Sequence, residues 1–204
     1  NLYCFLTRAG WEVNFVENAD SMFDVYKSTV NSLDLTANDQ VIMCHDDIEI
    51  LLSEEIFNRV LSQHLENPLN GFVGVAGSQM ITHEASWYTC AQKHNAGGGV
   101  VYHGKDLESM IPSLYGTSKK AVTMDGVFLA STGRVLNTIN LGMPKDFVGK
   151  WDWYDALYTF QAYKKGLRNI IAPILLRNES GGRYPKEWHD DKPKFVKLFN
   201  DHIP

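Results

Sequence analysis

The chain has 204 residues and a formal net charge of −5, so it offers no basic field that could hold a nucleic-acid backbone. Hydrophobic residues make up 44% and charged residues 21% of the sequence, a composition that fits a globular domain and excludes a disordered segment. No apolar run approaches the roughly 18 residues of a membrane span. No signal peptide opens the chain. The three widely spaced cysteines form no disulfide framework, so a cytoplasmic location is expected.

The first part of the chain alternates helical and strand patterns. In chain order the predicted elements are a short apolar segment at 2–8, a strand at 11–16, a helix at 19–33, a strand at 40–44, a helix at 53–65 and a strand at 71–77. The first segment is either a helix or the first strand. Asp20 or Ser21 can cap the first long helix, and Ser53 can cap the second.

The remaining part contains fewer regular patterns. Residues 78–122 are rich in Gly, His, Ser and aromatic residues, with one short strand pattern at 99–103. The elements predicted after it are a strand at 127–130, helices at 132–139 and 152–165, a strand at 169–176 and an amphipathic helix at 192–201. No linker divides the chain, so a single domain is expected, and this domain can be one part of a longer protein.

The alternation of strands and helices predicts an α/β fold with right-handed crossovers and a parallel sheet. We therefore expect a Rossmann-like, mostly parallel central sheet flanked by helices. A smaller mixed or antiparallel region is expected from the less regular second part. The predicted division is 1–77 for the first half and 78–204 for the second.

The strand at 40–44 ends abruptly in His45, Asp46 and Asp47. Strands that deliver acids to their carboxyl ends build ligand sites in open α/β sheets. Two adjacent carboxylates suit Mg²⁺ or Mn²⁺ carrying a phosphate. The alternative is a loop that begins with two solvated acids.

Four segments resemble a known family in their order and spacing. They are residues 13–18 with 21–23, residues 45–48, residues 124–129, and residues 151–155 with 162–166. Together they resemble the GT-A glycosyltransferases of the family-2-like group, which transfer sugars from nucleotide sugars. The chain is also similar to chlorella-virus glycosyltransferase domains that act on capsid glycans, which implies a viral origin.

The resemblance implies a metal site at the end of the strand at 40–44. Asp47 is the expected ligand, with Asp46 as a second ligand or a ribose contact, and Mn²⁺ is preferred over Mg²⁺. His45 either faces this site or forms a structural hydrogen bond at the strand end. A late loop of the family supplies a histidine ligand, but Asn178 stands at that position, and His189 is the expected substitute.

The resemblance also assigns the substrates. Residues 1–77 are expected to form the nucleotide-binding half, with Glu17, Asn18 and Asp46 as nucleotide contacts. Residues 78–204 are expected to form the half that binds the donor sugar and the acceptor. Arg183 and Lys186 are expected to hold phosphate oxygens.

Catalytic and sugar-binding residues follow from the same motifs. Asp125 and Gly126 are expected to line the donor-sugar pocket, and Trp151 and Trp153 to contact the acceptor. Asp155 is the expected general base, with Asp152 beside it at the same helix start. Alternatively, these two acids only stabilise the helix dipole, and the tryptophans, Trp188 included, only pack in the core.

The expected activity is transfer of a sugar from a nucleoside-diphosphate sugar, with UDP as the expected nucleotide, to a glycan or glycoprotein acceptor. A nucleotidyltransferase is one alternative, although the Gly-rich and basic signature that it needs after the first strand is missing. A non-catalytic carbohydrate-binding module that uses the tryptophans is the other. That module would not need paired carboxylates.

Overall fold

The computed structural model describes residues 2–182 and 184–202 of the chain. Seven α-helices form within this part, and a 3₁₀ turn at Asn200–His202 follows the last of them. The helices are α1 (Leu2–Arg8), α2 (Met22–Ser32), α3 (Glu54–Leu65), α4 (Trp87–His94), α5 (Gly133–Leu136), α6 (Tyr154–Lys164) and α7 (Lys186–Leu198). None of the helices in the described residues is long and apolar enough to cross a membrane.

The strands form two sheets. They are β1 (Gln40–Cys44), β2 (Ile48–Ile50), β3 (Asn70–Gly74), β4 (Ala76–Ser78), β5 (Gly97–His103), β6 (Ile111–Thr117), β7 (Lys120–Ala121), β8 (Thr123–Met124), β9 (Phe128–Thr132), β10 (Arg168–Ile171) and β11 (Leu176–Asn178). One sheet has five strands in the order β1-β9-β3-β10-β7. The other has six, with the order β2-β11-β5-β4-β8 and β6 paired to β5.

The predicted α/β class is observed, but the mostly parallel sheet is not confirmed. Among the strand pairs that the described residues form, only β3–β10 and β5–β11 are parallel. The physical reason is β9, which runs antiparallel between β1 and β3 and separates strands that a parallel sheet would place side by side. Mixed and antiparallel pairing therefore dominates both sheets.

Several predicted elements differ in extent from the observed ones. The predicted strand at 71–77 is two strands, because β3 pairs in the first sheet and β4 in the second. The predicted strand at 169–176 divides into β10 and β11 for the same reason. Residues 11–16 run without strand pairing, and α4, β2 and β6 had no predicted counterpart.

Serine caps define the starts of three helices. Ser21 Oγ, rather than the alternative Asp20, accepts the Asp24 backbone N–H. Ser53 Oγ accepts the Ile56 backbone N–H, as predicted. Ser86 caps α4 in the same way through the Thr89 N–H. Residues 2–8, for which a strand was the alternative, form α1.

The interior is filled by two apolar clusters. The first is rich in aromatic side chains and includes Phe23, Tyr158 and Phe195, which are fully buried. The second includes Phe57, whose ring meets those of Phe5 and Phe128 edge to face at centroid distances of 5.4 and 6.0 Å. Each such buried side chain stabilises the fold by about 1.5–3 kcal/mol.

The antiparallel pairing of β1 with β9 positions the candidate site. Cys44, the last residue of β1, is the register partner of Phe128, the first residue of β9. The segment that follows β1 therefore lies beside the segment that precedes β9. His45 at the first and Asp125–Gly126 at the second are brought together by this register.

The buried amide of Asn169 is expected to be essential for stability. Its Oδ1 accepts the Phe72 N–H, and its Nδ2 donates to the carbonyls of Val122 and Thr159 at 3.2 and 2.7 Å. Asn169→Ala leaves three buried backbone groups without this partner. We expect the free energy of unfolding to fall by about 3 kcal/mol.

Urea denaturation followed by circular dichroism measures this effect. Asn38→Ala, at an exposed position, is the matched control and should leave the midpoint unchanged. Equal midpoints for the two variants would show that the Asn169 amide does not stabilise the fold.

Candidate active site

The segment after β1 is held in place by hydrogen bonds to two other loops. The His45 N–H donates to the Val127 carbonyl at 3.2 Å. Asp47 accepts the Glu179 N–H through its carbonyl at 3.0 Å and the Ser180 N–H through Oδ2 at 3.1 Å. The Asp47 carboxylate is therefore oriented by the loop that follows β11.

A tight turn at Asp125 and Gly126 lies next to this segment. The Asp125 Oδ1 accepts the Val127 N–H at 2.8 Å, so the carboxylate caps its own turn. A side chain at Gly126 would overlap the hydroxyl of Tyr154 and approach Asp155 Cβ to 2.9 Å. The close approach of α6 to this turn therefore requires glycine.

Hydrogen bonds connect the β1 segment through this turn to the start of α6. His45 Nε2 lies 3.0 Å from the Tyr154 hydroxyl, which donates to the Gly126 carbonyl at 3.2 Å. The Gly126 N–H donates to Asp155 Oδ2 at 2.9 Å. Three of the predicted functional segments therefore meet in one network.

The two acids of this network have raised pKa values. Burial, with the nearby charge of Asp125, raises the pKa of Asp155 to about 7. Burial also raises the pKa of Asp125, while the hydrogen bond from the Val127 N–H opposes that rise, with smaller contributions from His45 and His103. Two carboxyl groups that resist simultaneous ionisation are typical of sites that hold or move a proton.

Asp152 lies close enough to Asp155 for its charge to contribute to the raised pKa of that residue, after burial and Asp125. Burial, with the charges of Glu187 and Asp191, raises the pKa of Asp152 to about 6. Asp191 is fully buried on α7, where its carboxylate accepts the backbone N–H groups of Val148 and Gly149. Asp191 thereby fixes the loop that leads to Asp152, a role that its sequence context did not indicate.

Asn178 ends β11 and carries an unsatisfied atom. Its side chain is buried, and Oδ1 has no hydrogen-bond partner within the described residues. A buried acceptor without a partner costs about 1–3 kcal/mol. Asn178 is the register partner of both Ile48 and His103, so it lies one strand away from Asp47.

Aromatic side chains surround the acidic groups. Burial, with a contribution from Asp125, raises the pKa of Tyr115 to about 12. Burial is the largest cause of the raised pKa of Tyr184, and the charges of Asp125 and Asp155 also contribute to it. The sequence analysis missed both tyrosines, because single aromatic residues in loops or edge strands have no distinguishing pattern.

The two predicted acceptor tryptophans have different environments. Trp151 is half exposed, at 53%. Trp153 is buried, with Trp188 stacked on it at a centroid distance of 4.6 Å and Phe195 at 4.3 Å. The structure therefore offers the ring of Trp151 to a ligand but not that of Trp153, whose faces pack against other side chains.

The predicted nucleotide contacts are all exposed. Glu17 and Asn18 lie in the segment that precedes α2, and Asn18 adopts a left-handed backbone with φ of 53°. Asp46 lies in the turn after β1. In the part of the chain that the structure describes, no hydrogen bond or ion pair joins Glu17 or Asn18 to Asp46.

The predicted third metal ligand is not brought to Asp47. His189 is exposed on α7, where its ring contacts that of Trp188 at 5.0 Å. Within residues 2–182 and 184–202, no group of three or more His, Cys, Asp or Glu side chains could hold a metal ion. Lys186 pairs with Asp190 at 2.6 Å, and Arg183 lies outside the described residues.

Comparisons with known proteins identify the family. No curated protein sequence matches the chain, so the similarity to chlorella-virus domains stays a prediction. The sequence profile described as "Glycosyltransferase like family" matches residues 8–197, which include every segment of the site described above. The chain therefore belongs to this glycosyltransferase-like family.

Proposed function

We propose that the protein is a metal-dependent glycosyltransferase that moves a sugar from a UDP-sugar to a hydroxyl group of a glycan acceptor. The observation that carries this proposal is the hydrogen-bonded network from His45 through Tyr154 and Gly126 to Asp155. It joins His45, which lies next to the proposed metal ligand Asp47, to the proposed base Asp155 across one turn. In the proposed reaction the metal neutralises the leaving diphosphate, and the base, which an inverting transfer needs on the acceptor side, activates the attacking hydroxyl.

The residues present fit a divalent cation. Asp47 supplies a carboxylate whose orientation is fixed by Ser180, and the buried Asn178 Oδ1 has no hydrogen-bond partner among the described residues. Hard oxygen atoms of this kind are the ligands that Mg²⁺ and Mn²⁺ take. When bound, such an ion neutralises the charge that develops on the leaving diphosphate.

Asp155 is the proposed general base. It takes the proton of the acceptor hydroxyl while that oxygen bonds to the anomeric carbon, and the bond between this carbon and the diphosphate breaks. A pKa of about 7 suits this task, because a base near the working pH is both deprotonated and strong enough to accept a proton. A base on the acceptor side supports inversion of the anomeric centre.

The proposed acceptor surface is aromatic. Tyr88, Trp151 and Tyr184 are 36%, 53% and 49% exposed, respectively. The nearby charges of Asp125 and Asp155 that act on Tyr184 link this residue to the acidic groups. The face of an aromatic ring packs against the apolar face of a sugar ring, and the tyrosine O–H or tryptophan N–H forms hydrogen bonds with the sugar hydroxyl groups.

Isothermal titration calorimetry tests the nucleotide and the metal together. We expect UDP to bind in the presence of Mn²⁺ and to lose most of its affinity when the ion is removed by a chelator, because the diphosphate is then unneutralised. CDP, GDP and ADP, which differ from UDP in the nucleobase, are the matched controls for recognition of uracil. Absence of UDP binding in Mn²⁺ would contradict the proposed function.

The same titrations separate the alternatives. A nucleotidyltransferase would bind a nucleoside triphosphate more tightly than UDP or a UDP-sugar. A carbohydrate-binding module would bind sugars regardless of nucleotide and metal. Mn²⁺-dependent binding of UDP, together with release of UDP from a UDP-sugar, favours the glycosyltransferase over both.

A further inference from the structure

We propose that Asp191 of α7 is a positioning residue for the transfer reaction. Its carboxylate holds the loop of residues 148–153, and this loop sets the place of the α6 start that carries Asp155. The inference rests on the proposed function for the role of Asp155 as the base. Because Asp191 is fully buried, it does not meet a substrate and acts through the backbone of the loop.

Both oxygens of the Asp191 carboxylate are used. Oδ2 accepts the backbone N–H groups of Val148 and Gly149 at 2.9 and 2.7 Å. Oδ1 accepts a hydrogen bond from Lys194 Nζ at 2.7 Å, within the same helix. A charge is tolerated inside a protein only when it is paired and hydrogen-bonded. The buried carboxylate and the loop therefore depend on each other.

The carboxylates of Asp191 and Asp152 both lie close to Gly149. A Cβ at Gly149 would lie 3.1 Å from Asp152 Oδ2 and 3.2 Å from Asp191 Oδ2, so the close approach of these groups leaves little room for a side chain. Burial is the largest cause of the raised pKa of Asp152, and the charges of Glu187 and Asp191 add to it. Asp191 is therefore coupled to an acid that lies three positions before Asp155.

The end of the loop is held in a strained conformation. Trp153 has a φ of 70°, in the left-handed region that bulky side chains avoid. Its indole N–H is buried without a hydrogen-bond partner among the described residues. Such features persist only where the surrounding structure enforces them. Here that structure is α7, because the ring of Trp153 packs on Trp188 and Phe195 at centroid distances of 4.6 and 4.3 Å.

The base follows directly after this strained residue. Trp153 is the N-cap of α6, and Asp155 is the second residue of that helix. Helix α7 thus holds the chain before α6 at two places, through Asp191 at residues 148–149 and through aromatic contacts at Trp153. A displacement of about 1 Å in a catalytic group can reduce a rate by about 10²-fold. Loss of the Asp191 contact is therefore expected to lower turnover.

Turnover and nucleotide binding, measured separately, test this role. The probes are UDP with Mn²⁺ for binding, and release of UDP from UDP-glucose, UDP-galactose and UDP-N-acetylglucosamine for turnover. Asp191→Ala should reduce the rate at saturating donor by about 10- to 100-fold, while UDP binds with unchanged affinity. The reason is that the Lys150 carbonyl still accepts the Met22 N–H, so the segment before α2 keeps its attachment.

The conservative variant and a matched control separate positioning from stability. Asp191→Asn should restore most of the rate, because an amide oxygen in the place of Oδ2 still accepts both N–H groups of the loop. Lys194→Met removes the ion pair of the buried carboxylate but leaves the loop contacts, so it should lower the urea midpoint and keep the rate. A loss of rate in Lys194→Met equal to that in Asp191→Ala would show that Asp191 has only a structural role.

A second variant serves if Asp191→Ala does not fold. Gly149→Ala removes no charge, but its Cβ requires the two neighbouring carboxylates to move by a few tenths of an ångström. It should reduce the rate by about threefold or more with unchanged UDP affinity. Gly142→Ala is the matched control, because its Cβ would lie 3.1 Å from Asn140 Oδ1, away from α7, and it should keep the rate. Equal rates for the two glycine variants would contradict the proposal.

Hydrogen exchange followed by mass spectrometry reports the anchor without an activity measurement. The amides of Val148 and Gly149 should exchange faster in Asp191→Ala than in the unaltered protein, and Lys194→Met should not change them, because only the first variant removes their acceptor. Unchanged exchange at these amides in Asp191→Ala would overturn the inference.

The outcomes also distinguish this inference from the proposed function. If the unaltered protein binds UDP with Mn²⁺ and releases UDP from a donor, and Asp191→Ala does so at the full rate, then the positioning role is wrong and the glycosyltransferase function still stands. If the unaltered protein binds no UDP and releases none from the three donors, the proposed function is wrong and the positioning role fails with it.

Discussion

Asp47→Ala is expected to reduce sugar transfer by about a thousandfold. The Asp47 carboxylate is oriented by the Ser180 N–H at 3.1 Å, and its loss removes the strongest charged ligand of the proposed metal site. A bound metal ion contributes several kcal/mol to stabilisation of the transition state, and each 1.36 kcal/mol corresponds to about a factor of ten in rate. The measurement is the rate of UDP release from a UDP-sugar over a range of Mn²⁺ concentrations.

The control for Asp47 is Asp34→Asn. Asp34 is exposed and adopts a left-handed backbone with φ of 45°, which asparagine tolerates well, so this variant should keep the full rate. Circular dichroism and the urea midpoint establish that Asp47→Ala is folded. A folded Asp47→Ala protein that still needs and uses Mn²⁺ normally would remove Asp47 from the metal site.

Asp155→Asn is expected to reduce the turnover number by about 10²- to 10⁴-fold, the usual contribution of a general base, while UDP binds with unchanged affinity. Asparagine can still accept one of the two N–H groups, from Gly126 and Ala156, that hold the Asp155 carboxylate. The helix start therefore persists while the base is lost. Turnover with saturating donor, measured beside UDP titration calorimetry, separates these two effects.

The pH dependence of the unaltered enzyme should report the same group. A base works when it is deprotonated, so the rate should rise with pH and level off above a pKa of about 7 for Asp155. Asp155→Asn should lack this rise. If the profile were unchanged, another group would be the base, and Asp152→Asn tests the acid whose pKa is about 6.

Stability should depend on pH in the opposite sense. The folded protein raises the pKa of Asp155 from 3.8 to about 7, so in this window the folded state keeps a proton that the unfolded state releases. The contribution of Asp155 to the free energy of unfolding is therefore fully present below a pH of about 4, and it is lost as the pH rises towards 7. Asp155→Asn should remove that loss, which urea midpoints at the two pH values would show.

Local sequence signals correctly predicted many elements and two helix starts. The strand at 40–44 was predicted with the observed bounds, because its apolar run is bounded by polar residues on both sides. Ser53 is predicted as a cap, and Ser21 as one of two candidates with Asp20, since a cap depends on residues only three positions apart. The glycosyltransferase-like family and the clustering of acids at the ends of elements also followed from the sequence.

The sheet topology was not predictable in the same way. The sequence pattern of β9 is that of a buried strand, and nothing in it specifies antiparallel pairing with β1 and β3. The division of 169–176 into β10 and β11 depends on partners in two different sheets. These pairings join residues that are far apart in the chain, so only the packing of the whole domain selects them.

The candidate site shows the same division between local and long-range information. The sequence by itself determined that Asp47, Asp125 and Asp155 are acids at the ends of elements, and the resemblance to the family added that Asn178 stands where a histidine is expected. Only the tertiary structure decided that Tyr154 joins His45 to the turn of Gly126, that the ring of Trp153 is packed inside the protein, and that His189 is not brought to Asp47. The physical reason is that a motif fixes the chemistry of a side chain, whereas its partners, burial and pKa depend on strands and helices that are distant in sequence.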